Sequence, residues 1–438
     1  MKMKFLAAAI AATSAIGVAC AADLVTVYRD ALVSDPVFQS ARAQYQAGIE
    51  KSPQARAGYL PLVTAGASTT QNNIGRDIAP NLNYRVDAYF VSLSQPLFRA
   101  QNWIAIAQAG QQVVQTVATL ETAKQDLILR VAQAYFDVLL AQDNVQLSGS
   151  QKTAISEQLA QAKRNFEVGT ATIVDTLEAQ ARFDQAVAME ISDVNDLEVK
   201  KRALQQLVGK VVDGLVPLKD KLVLAEPAPN DIEAWVKAAS DSSFSIAVSV
   251  AGLEIAKQEV NRQKAGHLPT LDLTASYSYS KNPSIVVPGL LGPATDAGAV
   301  GLTLSVPIFS GGLTQSRVRE ALANRDRAEQ DLENTRRGVA QLVRQNYLFV
   351  TSGISQVLAL ERAQDSSQSQ LDSTILGRDV GVRTSVDVLN AQQQFYQTRR
   401  DLLQQRYNFL LNTLRLKASA GRLSEPDLED VNRALGRG

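Results

Sequence analysis

Apolar positions along the chain follow two different periods, and the change between them happens twice in the same order. Asp23 to Ser52 carries a helical spacing, with Leu24, Val27 and Ala31 and, beyond the Asp35-Pro36 break, Phe38, Ala41 and Tyr45. After Ala57-Gly58-Tyr59-Leu60-Pro61 come two strand-like runs rich in β-branched and aromatic residues, LVTAGASTT at 62–70 and YRVDAYFVSLS at 84–94. The polar loop 71–83 separates them, and Pro96-Leu97-Phe98 closes the region. From Trp103 to about Glu167 the chain has no proline. There Val113, Val117, Leu120, Leu127, Val131, Ala134, Val138, Ala141 and Val145 keep a 4-3 spacing broken only at Lys124. This predicts one coiled-coil-like helix of roughly 65 residues, about 100 Å long at 1.5 Å per residue. A compact globular domain has no use for such a rod.

The whole programme then repeats. Residues 210–230 are Pro-rich and aperiodic and read as a connector. Ile232 to Lys264 is helical again, Ala265-Gly266-His267-Leu268-Pro269 echoes AGYLP, and Val306-Pro307-Ile308-Phe309 echoes Gln95-Pro96-Leu97-Phe98. A second long helix from Leu313 has its seam at Leu332, Val339, Val343, Val350 and Val357. The offset between copies stays between 208 and 212 residues, so a whole unit is duplicated. The expected organisation is a signal peptide over 1–21 and a first repeat over 22–209, with helices 23–58, 99–167 and 170–208 and strands about 59–70 and 84–96. The connector 210–230 follows. The second repeat covers 231–421, with helices 231–266, 312–378 and 383–420 and strands about 269–281 and 298–308, before a short tail over 422–438.

The clearest strand is LDLTASYSYS at 271–280, with Leu271, Leu273, Ala275, Tyr277 and Tyr279 on one face and Asp272, Thr274, Ser276, Ser278 and Ser280 on the other. Ten residues of strict alternation fit a transmembrane β-strand, and equally a half-buried strand of a soluble sheet. Four candidate strands cannot close a barrel, and open edges are not tolerated in lipid. A membrane role therefore needs several chains, two, three or four of them giving 8, 12 or 16 strands.

Composition narrows the choices. Of 438 residues, 45% are hydrophobic but only 6% aromatic, which suits long helices. Lys+Arg and Asp+Glu are each 44, so nothing points to nucleic acid, and a single His and a single Cys leave no basis for a metal site or other cofactor. Lys2 and Lys4, the apolar run Phe5 to Val18 and Ala19-Cys20-Ala21 form a signal peptide with an A-x-A cleavage site. The competing reading, a lipidated Cys20, is opposed by Gly17 at the position where lipoprotein signals usually carry Leu. No later run of about 18 apolar residues offers a spanning helix. Nor does any nucleophile–base pair or phosphate loop suggest an enzyme, and His267 faces Tyr59 in the other repeat.

Between each pair of long helices lies a tip. VGTATIVDTLEAQARF at 168–183 and VGVRTSVDVLNAQQQF at 380–395 stand 212 positions apart and share nine residues, among them Gly169/Gly381, Thr172/Thr384 and Asp175/Asp387. A Gly, a short polar run and renewed periodicity stop one helix and start the next. Asp175 and Asp387 then read as caps of the return helices, as Asp often does near a helix start.

The signal peptide, the duplication, the L-P before each first strand, the P-[LI]-F after each second strand and the paired VG tips together resemble the TolC-like outer-membrane efflux proteins, over nearly the whole mature chain. The resemblance implies a mainly α fold with a transmembrane β part. It implies a homotrimer with a 12-stranded β-barrel in the outer membrane of a Gram-negative bacterium, continued by a 12-helix α-barrel in the periplasm. An equatorial belt is expected from 210–230 and the tail after Gly421. It further implies export of proteins by type I secretion, of drugs or toxic small molecules, or of both, in company with a periplasmic adaptor and an inner-membrane transporter. Val168, Gly169, Thr170, Val380, Gly381 and Val382 match the adaptor-contacting turns. Asp175 and Arg383 match a linked pair that holds the tip shut, and Asp387 matches one member of an acidic ring at the constriction. Two positions depart from the pattern: a second acidic position is Asn390, and a gate Tyr five residues before the Arg is Arg378. Within the chain itself, Ala171 stands where the second copy has Arg383, and Glu178 where it has Asn390, so only one copy reads as the latch. A soluble periplasmic coiled-coil adaptor or scaffold is the competing reading; it predicts no membrane strands and extraction without detergent.

Overall fold

The computed structural model describes residues 22–75, 77–78, 81–212, 214–219, 222–281, 294–433 and 435–436. The signal peptide expected at 1–21 lies outside them. Packing divides the chain into two units that cut across the sequence repeats. One holds Met1–Gln39, Lys124–Val236 and Val343–Gly438; the other holds Ser40–Ala123 and Lys237–Leu342.

The second of these units contains all the strands. β1 (Leu62–Ile74), β2 (Leu82–Phe98), β3 (Thr270–Lys281) and β4 (Ala294–Ser305) form one antiparallel sheet in the order β1-β2-β3-β4. β2 and β3 come from different repeats and pair directly, with Tyr89 opposite Tyr279 and Val91 opposite Tyr277. The register carries the alternation seen in 271–280 across the whole sheet. Val63, Leu93, Ala275 and Val300 form one row, while Thr64, Ser92, Ser276 and Ala299 form a row on the opposite face. On the apolar face Val63, Tyr89, Val91, Tyr277, Val300, Leu302 and Leu304 are all exposed. A patch of that extent suits lipid rather than water. β4 starts and ends earlier than the expected 298–308, since Pro307 cannot donate to a ladder. β1 and β2 reach further than expected because the polar residues Gln71 and Asn72 still pair, with Arg85 and Tyr84.

At the base of the sheet Arg99 donates from Nε and Nη2 to both carboxylate oxygens of Asp272 (2.9 and 2.8 Å). Trp103 stacks on Tyr59 and meets Phe98 edge-on. Tyr59 and His267 thus occupy structural turns, the latter within a 3-10 turn, Ala265–His267.

Helices α1 (Leu24–Ser34), α2 (Pro36–Ile49) and α3 (Lys51–Ala57) stand where one helix over 23–58 is expected; α1 and the first residues of α2 belong to the other unit, the rest of α2 and α3 to the strand-bearing one. The first break has a plain cause. Pro36 pushes Asp35 into an extended conformation (φ −67°, ψ 116°), and the freed carboxylate accepts from Phe38 N at 2.9 Å to start α2. A similar break at the extended Ser243 divides the expected 231–266 helix into α6 (Ile232–Ser242) and α7 (Phe244–Lys264). The long helices are α4 (Ala100–Glu167), α5 (Ile173–Val208), α8 (Leu313–Asp379) and α9 (Ser385–Ser419). Leu127, Val131 and Val138 of the α4 seam are buried, as are Val343, Val350 and Val357 of the α8 seam.

The expected tail over 422–438 contains a further helix, α10 (Glu425–Asn432). Asp427 Oδ2 accepts from Ser424 N (2.7 Å) and from its hydroxyl at the start of this helix, and Pro426 lies in its first turn. Its Leu428 is fully buried, and Asn432 accepts from Leu24 N and donates to Asp23, tying α10 to α1. Among the described residues no helix is long and apolar enough to cross a membrane.

Candidate functional site

The two tips are the same turn built twice. At the end of α4, Gly169 N donates to Phe166 O (3.0 Å) and Thr170 N reaches back to Asn165 O (2.8 Å). At the end of α8, Gly381 N donates to Arg378 O (3.0 Å) and Val382 N to Gly377 O (2.9 Å). Both are Schellman endings, which place the residue after the helix in the left-handed region. Gly169 and Gly381 adopt φ of 79° and 82°, which only glycine reaches without strain. A capping box follows in each copy. Thr172 Oγ1 accepts from Asp175 N while Asp175 Oδ2 accepts from Thr172 N, and Thr384 and Asp387 reproduce this 212 residues on.

With the turn backbone satisfied internally, the apolar side chains are left over. Val168, Val174, Leu177, Val380 and Val382 are all exposed, as is Leu376 just before the second turn. Beneath them the hairpins are packed. Ile155, Leu159, Ala162, Ala179, Ala186 and Leu389 form one buried cluster, and Leu371, Val388, Ala391 and Phe395 another. Arg400 grips Asp193 through two bonds, and Lys152 pairs with Glu190.

The expected gate residues fall into two groups. Arg378 and Asn390 are engaged within the chain. Arg378 Nη1 donates to Gln158 Oε1 (2.6 Å) and Gln161 Oε1 (3.1 Å), so α8 is tied to α4. Asn390 Oδ1 accepts from Arg182 Nη2 (3.3 Å), and Arg182 also donates to Gln393 (2.6 Å) and to Glu178 (3.0 Å), so α5 is tied to α9. Asp175 and Arg383, by contrast, are not paired with each other in the chain. Asp175 keeps Oδ1 outside the cap, and Arg383 is exposed and makes no ion pair among the described residues. Asp387 has its carboxyl held below the usual carboxylate range, chiefly by the Thr384 N–H and hydroxyl that it caps, with a smaller contribution from the Arg383 charge. Among the described residues no cluster of His, Cys, Asp and Glu could hold a metal ion.

A family model described as "Outer membrane efflux protein" matches residues 27–210 and 235–422, one segment for each repeat. The chain belongs to that family. It is 34% identical to the outer membrane protein TolC of Vibrio cholerae over 95% of this chain and 94% of that protein. It is 32% identical to the alkaline protease secretion protein AprF of Pseudomonas aeruginosa over 94% of this chain and 87% of that one. Its fold matches the outer membrane protein VceC of Vibrio cholerae with a TM-score of 0.76 at 19% identity, covering 91% of this chain and 96% of that chain.

As an outer membrane efflux protein the chain is an outer-membrane export channel, and the reading as a soluble adaptor or scaffold is set aside. The family's members and structural neighbours are transport proteins rather than enzymes. Arg378 and Asn390 both tie one hairpin of the chain to the other. Their partners Gln158, Gln161, Arg182 and Gln393 were not among the residues expected from sequence. They are ordinary polar positions on helical faces, and only the packing of α4 on α8 and of α5 on α9 gives them a role.

Proposed function

We propose that three copies of this chain form one export tunnel, closed at the paired tips and opened there by partner binding. The observation that carries the proposal is the division of labour at the tips. Arg378 and Arg182 make their bonds within the chain, whereas among the described residues Arg383 forms no ion pair and the outer oxygen of Asp175 accepts no hydrogen bond. An exposed guanidinium and a half-buried carboxylate at equivalent tips are suited to pairing between neighbouring copies, where each contact is worth about 0–1 kcal/mol and yields readily. Several such weak contacts related by symmetry hold a closed state that a partner can overturn.

The sheet supports the same assembly. Among the described residues β1 and β4 each have one strand neighbour, and an edge facing lipid must be closed by another copy. Three chains of four strands supply twelve. Asp387, repeated by symmetry, forms a carboxylate ring that favours cations at the entrance. The exposed valines at 168, 380 and 382, with Gly169, Thr170 and Gly381 of the same turns, form the surface for a periplasmic adaptor, which links the tunnel to an inner-membrane transporter. Cargo is a secreted protein, a toxic small molecule or both. AprF is named for protease secretion, and another relative, CzcC of Cupriavidus metallidurans, for cobalt, zinc and cadmium resistance.

The test is electrical. Arg383→Ser in planar bilayers is expected to raise single-channel conductance over the wild-type protein. Equal conductance removes Arg383 from the gate.

A further inference from the structure

The two tips differ at a pair of positions that meet across the turn. In the first tip these are Asn165 and Ala171; 212 residues on they are Gly377 and Arg383. In both copies the carbonyl of the first residue accepts the N–H of the second, at 3.2 Å in one tip and 3.1 Å in the other. The side chains have been exchanged in a compensating way. Where the first tip has a side chain at the helix end and a small residue after the turn, the second has a bare backbone and a long side chain.

The reason is visible in the contact. The stem of Arg383 lies against Gly377: a Cβ at residue 377 would stand 2.8 Å from Arg383 Cγ and 3.5 Å from Arg383 Cβ. Cγ is close to the root of the side chain, so swinging the guanidinium end cannot relieve that clash. The χ1 rotamer would have to change, which re-aims the whole side chain. Gly377 lies inside α8 and is not among the glycines with positive φ, so its backbone conformation does not call for glycine. Glycine there is a weaker helix former than alanine.

We propose that Gly377 is the positioning residue of the gate, a seat that fixes the direction in which Arg383 leaves the second tip. The first tip has no seat because it has no arginine to aim. This assignment rests on the gate role of Arg383 given above, and the two can fail separately.

The experiment uses the full-length protein in planar bilayers with Gly377→Ala, Arg383→Ser and the double variant. Alanine favours the helix, so Gly377→Ala is expected to assemble normally. It should raise conductance to the level of Arg383→Ser, and the double variant should go no higher. Wild-type conductance in Gly377→Ala beside raised conductance in Arg383→Ser overturns the seat and leaves the gate. So does a double variant that exceeds both singles. If Arg383→Ser itself changes nothing, the gate reading falls, and the seat is then judged by chemistry alone. Arg383→Cys places its Sγ where Cγ lies, and its rate of modification by a charged thiosulfonate should change when Gly377→Ala is added. An unchanged rate overturns the seat.

Discussion

Asp35 is a carboxylate only 2% exposed, and its fate depends on one neighbour. Arg130 donates to it from Nη1 (3.2 Å) and Nη2 (2.8 Å), and Phe38 N adds a third bond. Burial raises the Asp35 pKa, but the Arg130 hydrogen bonds, the Phe38 N–H and the Arg130 charge outweigh it and hold the group below its ordinary value. A carboxylate with a depressed folded pKa contributes stability in full above its unfolded pKa, about 3.9. That contribution is lost only as pH falls through the lower folded value. Arg130→Ala strands the charge and is expected to destabilise this unit by about 3 kcal/mol near neutral pH. Thermal unfolding followed by circular dichroism should show a lower midpoint at pH 7 and a narrowing difference from wild type in strong acid. The opposite trend would mean that Asp35 is neutral in the folded protein.

At the scale of elements, the tips show how a duplicated hairpin acquires two different ends. Identical Schellman turns and capping boxes make the shape; residues outside the shared motif make the difference. Arg378 crosses from α8 to α4, and Arg182 from α5 to α9. Arg378→Ala should therefore speed amide hydrogen exchange in 155–167 and 371–385 while leaving the α1–α10 contact region unchanged. Equal exchange at the tips would show that the apolar clusters alone hold the hairpins. Much of this level was legible in the sequence. The 4-3 seam marked the long helices, the alternation in 271–280 marked a two-faced sheet, and Gly with Thr-x-x-Asp marked each turn. Pro36 marked the break at Asp35; the break at Ser243 was harder, because helical periodicity runs on across one extended residue whose side chain makes no cap. α10 was missed because a two-turn helix is too short to show a period. The contacts of Arg378, Arg182 and Gly377 could not be read at all, because their partners lie far along the chain or across a turn whose side-chain directions no spacing encodes.

At the scale of the whole molecule, the proposed assembly brings both halves of the chain against another copy. Among the described residues the sheet ends in β1 and β4, each paired on one side. The second tip carries an arginine seated on a glycine, and the first carries an aspartate with one oxygen to spare. The account holds that Arg383 of one copy meets Asp175 of the next. The most direct test is a bis-maleimide cross-link between cysteines placed at both positions, Asp175→Cys with Arg383→Cys, in the membrane-embedded protein. Dimeric and trimeric bands on a denaturing gel, with export blocked until the link is cleaved, are the predicted result. Cross-linking confined to single chains, or none in a protein that still exports, would contradict the account.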